Sequence, residues 1–214
     1  MTGVPPHLGH DAPAPHGPDL HTGSPQWDEV YAGKPEWDIG RPQPAFQALG
    51  DAGAFHGRVL DVGCGTGEHV LMCAGLGLDA TGVDLASTAI HTACQKAHDR
   101  GLTARFLVQD ARRLADLGES FDTVLDSGLF VHVVDDDGDR TAYLDGLRSV
   151  VAPGGRYFMV CFRGRQGHHR GLTHEEITAA FADGWRVDSI EPATLEGAVS
   201  QAGLSAWLVA LTRI

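Results

Sequence analysis

Residues 59–71 constrain the fold more than any other stretch of the chain. Their sequence, VLDVGCGTGEHVL, runs from an apolar β-type segment through three glycines on alternate positions into an apolar helical pattern. Glycines at alternate positions let the backbone turn tightly and let a ligand approach atoms that a Cβ would shield. The N–H groups and the positive dipole end of the following helix favour an anionic ligand group. The stretch predicts a strand, a ligand-binding turn and a helix.

The spacing of the glycines narrows the choice of ligand. The turn reads G-x-G-x-G, whereas a dinucleotide fingerprint reads G-x-G-x-x-G and a phosphate-binding loop ends in G-K-[ST]. Glu68 stands where a third fingerprint glycine would be, which opposes a nicotinamide oxidoreductase. Asp61 precedes the turn, and Asp84 ends the next apolar run. A carboxylate at the second position can accept hydrogen bonds from both hydroxyls of a ribose.

Five motifs in this order resemble the class I S-adenosylmethionine-dependent methyltransferases. Residues 61–67 match their first motif and residues 84–85 their second. Residues 109–111 resemble the adenine-contacting turn, residues 121–127 the fourth strand, and residues 152–156 the turn into the fifth strand. The apolar patterns at 185–191 and 204–212 resemble the closing hairpin of that class. The resemblance implies an α/β fold, a Rossmann-like doubly wound seven-stranded sheet in the order 3-2-1-4-5-7-6, with strand 7 antiparallel.

Composition divides the chain into a tail and one domain. Residues 1–25 contain six of the eleven prolines and four of the twelve histidines. Proline at this density disfavours both helix and strand, so we expect a disordered tail. Histidines in such a segment have no preset ligand geometry, so we expect no metal site there. Residues 26–214 suit a single methyltransferase domain.

Residues 26–44 form an aromatic arm that contains Trp27, Tyr31 and Trp37. Its prolines and glycines exclude a strand or a long helix. It is either a hydrophobic strap that closes the core or a lid over the cofactor, since aromatic faces attract a cationic sulfonium and exclude water. The pattern P-x-W-D-x-G-x-P-x-P resembles the thiopurine, halide and thiol methyltransferases and bacterial relatives acting on phenols, quinones or heterocycles. In that group the arm helps to cover the cofactor.

The resemblance also implies the cofactor site. Asp61 would hold the amino acid end of S-adenosylmethionine directly or through water, Asp84 would bind the ribose, and Ser127 would lie near the methionine portion. The predicted cofactor-binding residues are Trp27, Trp37, Asp61, Gly63, Cys64, Gly65, Thr66, Gly67, Asp84, Leu85, Asp110, Ala111 and Ser127.

The acceptor side of the site depends on fewer residues. His132 follows the fourth strand, beside the point where α/β proteins bind ligands. It is either a functional residue, as a general base or a hydrogen-bond partner of the substrate, or a histidine packed on a helix face. His132 and Arg41 are the predicted catalytic residues, and Tyr31, Phe130 and Arg170 are the predicted substrate-binding residues. The acidic run 135–139 lacks the spacing of a calcium loop and is interpreted as a helix cap. No metal is expected.

Charge and cysteine usage limit the partners. The net charge of −12, from 28 acidic and 16 basic residues, repels phosphate backbones and disfavours a nucleic-acid acceptor. The four cysteines form no C-x-x-C pair and lie in predicted core elements, which predicts buried, reduced thiols. No apolar run approaches the ~20 residues that span a bilayer. No basic residue precedes Lys34, as a secretory signal would require.

We therefore expect a cytoplasmic S-adenosylmethionine-dependent enzyme that methylates sulfur or oxygen, with nitrogen as a further candidate, on a small molecule. The alternative is a non-catalytic S-adenosylmethionine-binding sensor or partner subunit. The sequence leaves open the identity of the acceptor and the oligomeric state.

Overall fold

The computed structural model describes residues 24–133, 137–164, 171–198 and 203–214. The predicted tail lies outside these ranges except for Ser24 and Pro25, and Arg170 lies outside them too. The helices are α1 Ser24–Ala32, α2 Pro44–Asp51, α3 Glu68–Gly75, α4 Ser87–Asp99, α5 Phe130–Val133, α6 Asp137–Val150 and α7 His174–Ala180. The strands are β1 Arg58–Val62, β2 Asp79–Asp84, β3 Arg105–Val108, β4 Phe121–Ser127, β5 Val151–Phe162, β6 Trp185–Leu195 and β7 Leu204–Arg213. A 3-10 segment, Ala111–Leu117, precedes β4.

The seven strands form one sheet in the order β3-β2-β1-β4-β5-β7-β6. Strands β1 to β5 pair in parallel, whereas β7 is antiparallel to both of its neighbours, β5 and β6. This arrangement confirms the predicted fold class and strand order. The chain winds outward in opposite directions from β1 and from β4, so a crevice lies at the carboxyl ends of these two strands.

Both faces of the sheet are buried, which explains why its central strands are almost continuously apolar. On one face, Leu60 of β1 and Val124 of β4 belong to the same core cluster as Tyr143 of α6. On the other face, Leu125 of β4 belongs to a cluster with Phe46 of α2. Neighbouring residues of one strand thus contribute to opposite helical layers, and these layers fix the positions of the strand ends.

The aromatic arm begins as a helix. Helix α1 has nine residues and contains both Trp27 and Tyr31. The segment forms a helix because Pro25 lies in its first turn, where a missing N–H costs no hydrogen bond, and because the first glycine of the arm comes only at Gly33. The part of the arm between α1 and α2, residues 33–43, contains no helix or strand and is called the strap below.

Two other local expectations are corrected. Strand β5 begins at Val151 rather than at Arg156, because Val151 already pairs with Phe121 before residues 152–155 bulge out of register. Cys94 is exposed, although Cys64, Cys73 and Cys161 are buried as expected. Cys94 lies at the margin of the apolar stripe of α4, where Ala93 and Ala97 face the core.

The closing hairpin is longer than its apolar pattern predicts. Strand β6 continues to Leu195, which pairs with Leu204 at the start of β7. This extension carries Glu196, the residue after β6, to the edge of the ligand crevice described below.

Candidate functional site

One pocket, of about 500 Å³, opens at the carboxyl ends of β1, β2 and β4. It is bounded by the glycine turn after β1, by the aromatic arm and by the segment after β4. The predicted site residues that line it are Trp27, Tyr31, Trp37, Arg41, Gly63, Cys64, Gly65, Thr66, Asp84, Leu85, Asp110, Ala111, Ser127 and His132. Asp61, Gly67 and Phe130 do not line it, and Arg170 lies outside the described residues.

The three glycines of the turn have different surroundings. All three have positive φ angles, which favour glycine. A Cβ on Gly65 would lie 2.9 Å from the Tyr31 hydroxyl, so this glycine allows the arm to approach the turn. A Cβ on Gly67 would instead lie 2.8 Å from the Ala93 Cβ and 2.9 Å from the Phe106 ring. Gly67 is therefore required for packing between helix and sheet, and it is not at the pocket surface.

Asp61 of β1 is a buried carboxylate beside the pocket, although it does not line the pocket itself. Its side chain is 1% exposed, and neither of its oxygens has a hydrogen-bond partner among the described residues. Nδ1 of His69 lies 3.5 Å from Oδ2, and His69 itself lines the pocket. Burying a carboxylate without hydrogen-bond partners costs free energy, which a cationic or hydrogen-bonding group of a ligand would offset.

Asp84 ends β2 on the other side of the glycine turn. Its Oδ2 accepts a hydrogen bond from the Gly65 N–H at 2.9 Å, and its Oδ1 accepts one from the Ala86 N–H at 2.9 Å. A carboxylate offers about four acceptor positions, so two remain for a ligand. Burial raises the pKa of Asp84 to about 6, although the backbone N–H groups of Ala86 and Gly65 favour its ionised form.

The aromatic arm covers the glycine turn. The Trp37 Nε1 group donates a hydrogen bond to the Tyr31 hydroxyl at 3.2 Å, and Trp27 meets Trp37 edge-on with ring centroids 6.3 Å apart. Helix α1 is fixed over α4 because Asp28 accepts a hydrogen bond from the Thr88 N–H at 2.8 Å. Burial raises the pKa of Tyr31 well above its usual range. The sequence allows two interpretations of the arm, a lid over the cofactor and a hydrophobic segment that closes the core. The placement of the arm over the glycine turn supports the lid.

The strap is joined to the end of the closing hairpin. Arg41 forms an ion pair with Glu196. The Gln43 side chain donates to the Glu196 carbonyl at 3.0 Å and accepts from the Glu196 N–H at 2.9 Å. The charge of Arg41 is therefore already compensated. Sequence reasoning missed Gln43, Glu196 and His69, although all three line the pocket.

The segment after β4 is held by another buried carboxylate, that of Asp126. Asp126 accepts hydrogen bonds from the N–H groups of Leu129 at 2.9 Å and Phe130 at 3.4 Å. This fixes the turn that presents Ser127 and His132 to the pocket. The imidazole of His132 is exposed and lies edge-on to Trp27, with ring centroids 6.4 Å apart. His132 is thus at the pocket surface and not packed beneath the sheet.

Phe130 is corrected from a substrate-binding residue to a core residue. It is 1% exposed, and its ring lies 5.3 Å from that of Phe181 and 5.9 Å from that of Tyr143. The sequence placed it at the pocket only because it adjoins the β4 motif. The turn fixed by Asp126 directs it into the core.

Asp110 and Ala111 follow β3 at the far wall of the pocket. The Asp110 carboxylate accepts hydrogen bonds from the Arg112 backbone at 2.9 Å and from its guanidinium at 2.6 Å. Burial acts to raise the pKa of Asp110, but these bonds outweigh it and the pKa is lowered. Asp110 therefore shapes this wall as an ionised, internally paired group.

Metal-binding clusters and membrane-spanning helices are both absent from the part of the chain that the structure describes. There, His, Cys, Asp and Glu side chains form no group of three or more that could hold a metal ion. Likewise, no helix in the described ranges is long and apolar enough to cross a membrane.

The sheet order and a glycine turn between two strand-end carboxylates define a class I methyltransferase. Residues 59–155 match the family described as a methyltransferase domain. The chain belongs to this family, the class I S-adenosylmethionine-dependent methyltransferases, and S-adenosylmethionine is its cofactor.

Named relatives in the family include two kinds of enzyme. The chain is 36% identical over 164 residues to a 2-heptyl-1-hydroxyquinolin-4(1H)-one methyltransferase of Mycobacteroides abscessus, covering 73% of this chain and 71% of that protein. It is 39% identical over 124 residues to a ubiquinone biosynthesis O-methyltransferase of Cereibacter sphaeroides. That match covers 58% of this chain but only 44% of the relative.

A similar solved structure was reported for the conversion of a disulfide bond into a thioacetal group during echinomycin biosynthesis. It superposes with a TM-score of 0.77 at 36% identity and covers 87% of this chain and 91% of that one.

Proposed function

We propose that this protein transfers the methyl group of S-adenosylmethionine to an oxygen or sulfur atom, with nitrogen as a further candidate, of a small molecule. The observation that carries the proposal is the buried, unpartnered Asp61 carboxylate behind a glycine turn that also positions Asp84. The two acids suit the ammonium and ribose groups of one ligand. His132 opens into the same pocket, where an acceptor would lie.

The residues present fit this cofactor. Asp61 would balance the ammonium group directly or through water, and the remaining acceptor positions of Asp84 would bind the ribose hydroxyls. Leu85, Asp110 and Ala111 would surround the adenine. When bound, the cofactor supplies an electrophilic methyl group on a cationic sulfonium. Trp27 and Trp37 would lie near that cation and exclude water from it.

The acceptor-side residues would align the nucleophile and move one proton. His132 would accept the proton of the attacking hydroxyl or thiol, since methyl transfer to these atoms proceeds through the anion. Arg41 is less suited than expected to steady that anion, because Glu196 already compensates its charge. Much of the rate would then come from alignment within a dry pocket.

Three features support a small, acidic acceptor. The relatives named above act on a hydroxyquinolinone or are named O-methyltransferases, which favours a ring hydroxyl. The similar structure reported for thioacetal formation supports sulfur as the alternative acceptor atom. The net charge of −12 opposes a nucleic-acid acceptor.

We also propose a reducing, cytoplasmic location, because all four cysteines are unpaired thiols.

Trideuteromethyl-labelled S-adenosylmethionine tests the proposal directly. The purified protein is incubated with N-hydroxy heteroaromatics, phenols, hydroquinones, thiols and N-heterocycles, and products are analysed by mass spectrometry. We expect labelled methyl on ring hydroxyls or thiols. Tight binding of S-adenosylhomocysteine with no labelled product from any class would instead favour a non-catalytic binder.

His132→Ala should lower kcat by roughly 10²-fold with a weakly acidic phenol, the lower end of general-base contributions. The loss should shrink along a series of increasingly acidic phenols, because these need less help to lose the proton. Affinity for S-adenosylhomocysteine should stay within about threefold of wild type. His98→Ala, an exposed histidine of α4, is the matched control. An equal loss for every phenol in the series would exclude His132 as the base.

Lowering the pH should weaken nucleoside binding through Asp84. Its carboxyl has a pKa of about 6 in the unliganded protein, and the ionised form is the better acceptor for ribose hydroxyls. The Kd of 5′-methylthioadenosine, which has the ribose but no amino acid group, should rise about tenfold between pH 7 and pH 5. Calorimetry at both pH values measures the change. Asp84→Asn should bind 5′-methylthioadenosine weakly at both pH values. If the Kd of the wild-type protein also does not change between pH 7 and pH 5, the assignment of Asp84 is wrong.

A further inference from the structure

We propose that His69 is a positioning residue that holds the Asp61 carboxylate in place for the ammonium end of the cofactor. The inference rests on the proposed cofactor site and adds to it a residue from the helix that follows the glycine turn. His69 lies in the first turn of α3, lines the pocket and is 12% exposed at its side chain. It lies 3.5 Å from a buried carboxylate that has no hydrogen-bond partner among the described residues.

The hydrogen bond that the His69 ring accepts fixes its tautomer. The backbone N–H of Gln43 donates to His69 Nε2 at 3.2 Å. Since Nε2 is an acceptor, the neutral imidazole carries its proton on Nδ1. Nδ1 is the ring nitrogen that lies 3.5 Å from Asp61 Oδ2. The protonated ring nitrogen is therefore the one that lies beside the carboxylate, although the two groups do not form a hydrogen bond in the unliganded protein.

The plane of the ring is held independently. The Phe46 ring, 0% exposed, meets the imidazole edge-on with centroids 4.9 Å apart. Gln43 is itself fixed by its two hydrogen bonds to the Glu196 backbone. His69 thus connects the strap and the hairpin end to the carboxylate beside the pocket, and its orientation does not depend on the ligand.

A pair of amide substitutions separates the two nitrogens. The Asn amide nitrogen can take the place of His Nδ1, whereas the Gln amide group can take the place of Nε2. His69→Asn therefore keeps a donor for Asp61 and loses the acceptor for Gln43. His69→Gln keeps the acceptor for Gln43 and loses the donor for Asp61. A positioning role through Nδ1 predicts different effects for the two variants.

Calorimetry with two ligands shows whether the substitutions weaken binding of the amino acid end of the ligand or of its nucleoside end. For S-adenosylhomocysteine, we expect the Kd to rise about tenfold in His69→Gln and less than threefold in His69→Asn. For 5′-methylthioadenosine, which lacks the amino acid end, both variants should stay within twofold of wild type. In an Asp61→Asn background, His69→Gln should have no further effect. Equal losses in both variants, or equal losses for both ligands, would overturn the proposal.

Nitrogen-15 NMR of histidine-labelled wild-type protein gives a test without any substitution. A neutral imidazole with its proton on Nδ1 is expected for His69 in the full, unliganded chain, assigned by its absence in His69→Gln. The Nε2–H tautomer would overturn the proposal. These outcomes are distinct from failure of the proposed function, which would appear as wild-type protein that binds neither ligand.

Discussion

Asp126→Ala is expected to lower the free energy of unfolding by about 3–5 kcal/mol. The Asp126 carboxylate is 0% exposed, and its Oδ2 accepts hydrogen bonds from the hydroxyls of Tyr143 at 2.6 Å and Tyr157 at 2.8 Å. Alanine would leave two buried hydroxyls without an acceptor and would release the turn that leads to His132. Urea unfolding of the unliganded protein measures the loss.

Two comparisons identify the cause of that loss. Tyr143→Phe removes a single hydroxyl and should cost only about 1–2 kcal/mol. Burial raises the pKa of Asp126 to about 6, although its four hydrogen bonds favour the ionised form. Because protonation then stabilises the folded wild type, Asp126→Ala should cost about 1 kcal/mol more at pH 5 than at pH 7. A loss below that of Tyr143→Phe would mean that the network contributes little to stability.

The sheet was predictable from sequence because its signals are local and repeated. Each central strand is a short apolar run that ends in a polar or glycine turn, and residues 61–67 fix the first of them. Parallel strands separated by helical segments leave few topologies open. The order with an antiparallel β7 came from the resemblance, and the pairing confirms it.

The residues that join the strap to the hairpin could not be predicted in this way. Gln43 lies 153 positions from Glu196, and neither belongs to a motif with a recognisable spacing. His69 lies two positions after the glycine motif, but its role depends on where Gln43 and Asp61 lie in space. The one available signal was a histidine placed in the first turn of a helix that follows a ligand-binding turn.

Phe130 and Cys94 show the opposite error. Each was assigned by its neighbours in sequence, Phe130 by the motif at β4 and Cys94 by the apolar stripe of α4. The direction of a side chain depends on the local backbone conformation. At Phe130 this conformation is fixed by the hydrogen bond from its N–H to Asp126. Periodicity alone places a residue on a face to within about one position, which is too coarse at the margin of a stripe.

Asp61 and Asp126 lie on neighbouring strands and are both buried, yet they should respond to substitution in opposite ways. Val62, the residue after Asp61, is the partner of Asp126 in the β1–β4 register. Asp126 has four hydrogen bonds, whereas the Asp61 oxygens have none among the described residues. A buried carboxylate without hydrogen-bond partners destabilises the fold that contains it, and it is retained where a ligand needs it.

Asp61→Asn is therefore expected to stabilise the unliganded protein and to weaken cofactor binding. Removing the unpartnered charge should raise the free energy of unfolding by about 1–2 kcal/mol. The same change should weaken S-adenosylhomocysteine by about 2–3 kcal/mol, because its ammonium group loses the carboxylate. Urea unfolding and calorimetry measure the two effects, and 5′-methylthioadenosine, without that ammonium, should bind almost as to wild type. If Asp61→Asn destabilises the unliganded protein and leaves S-adenosylhomocysteine affinity unchanged, Asp61 is a structural carboxylate like Asp126, and the cofactor's amino acid end is held by other groups of the pocket.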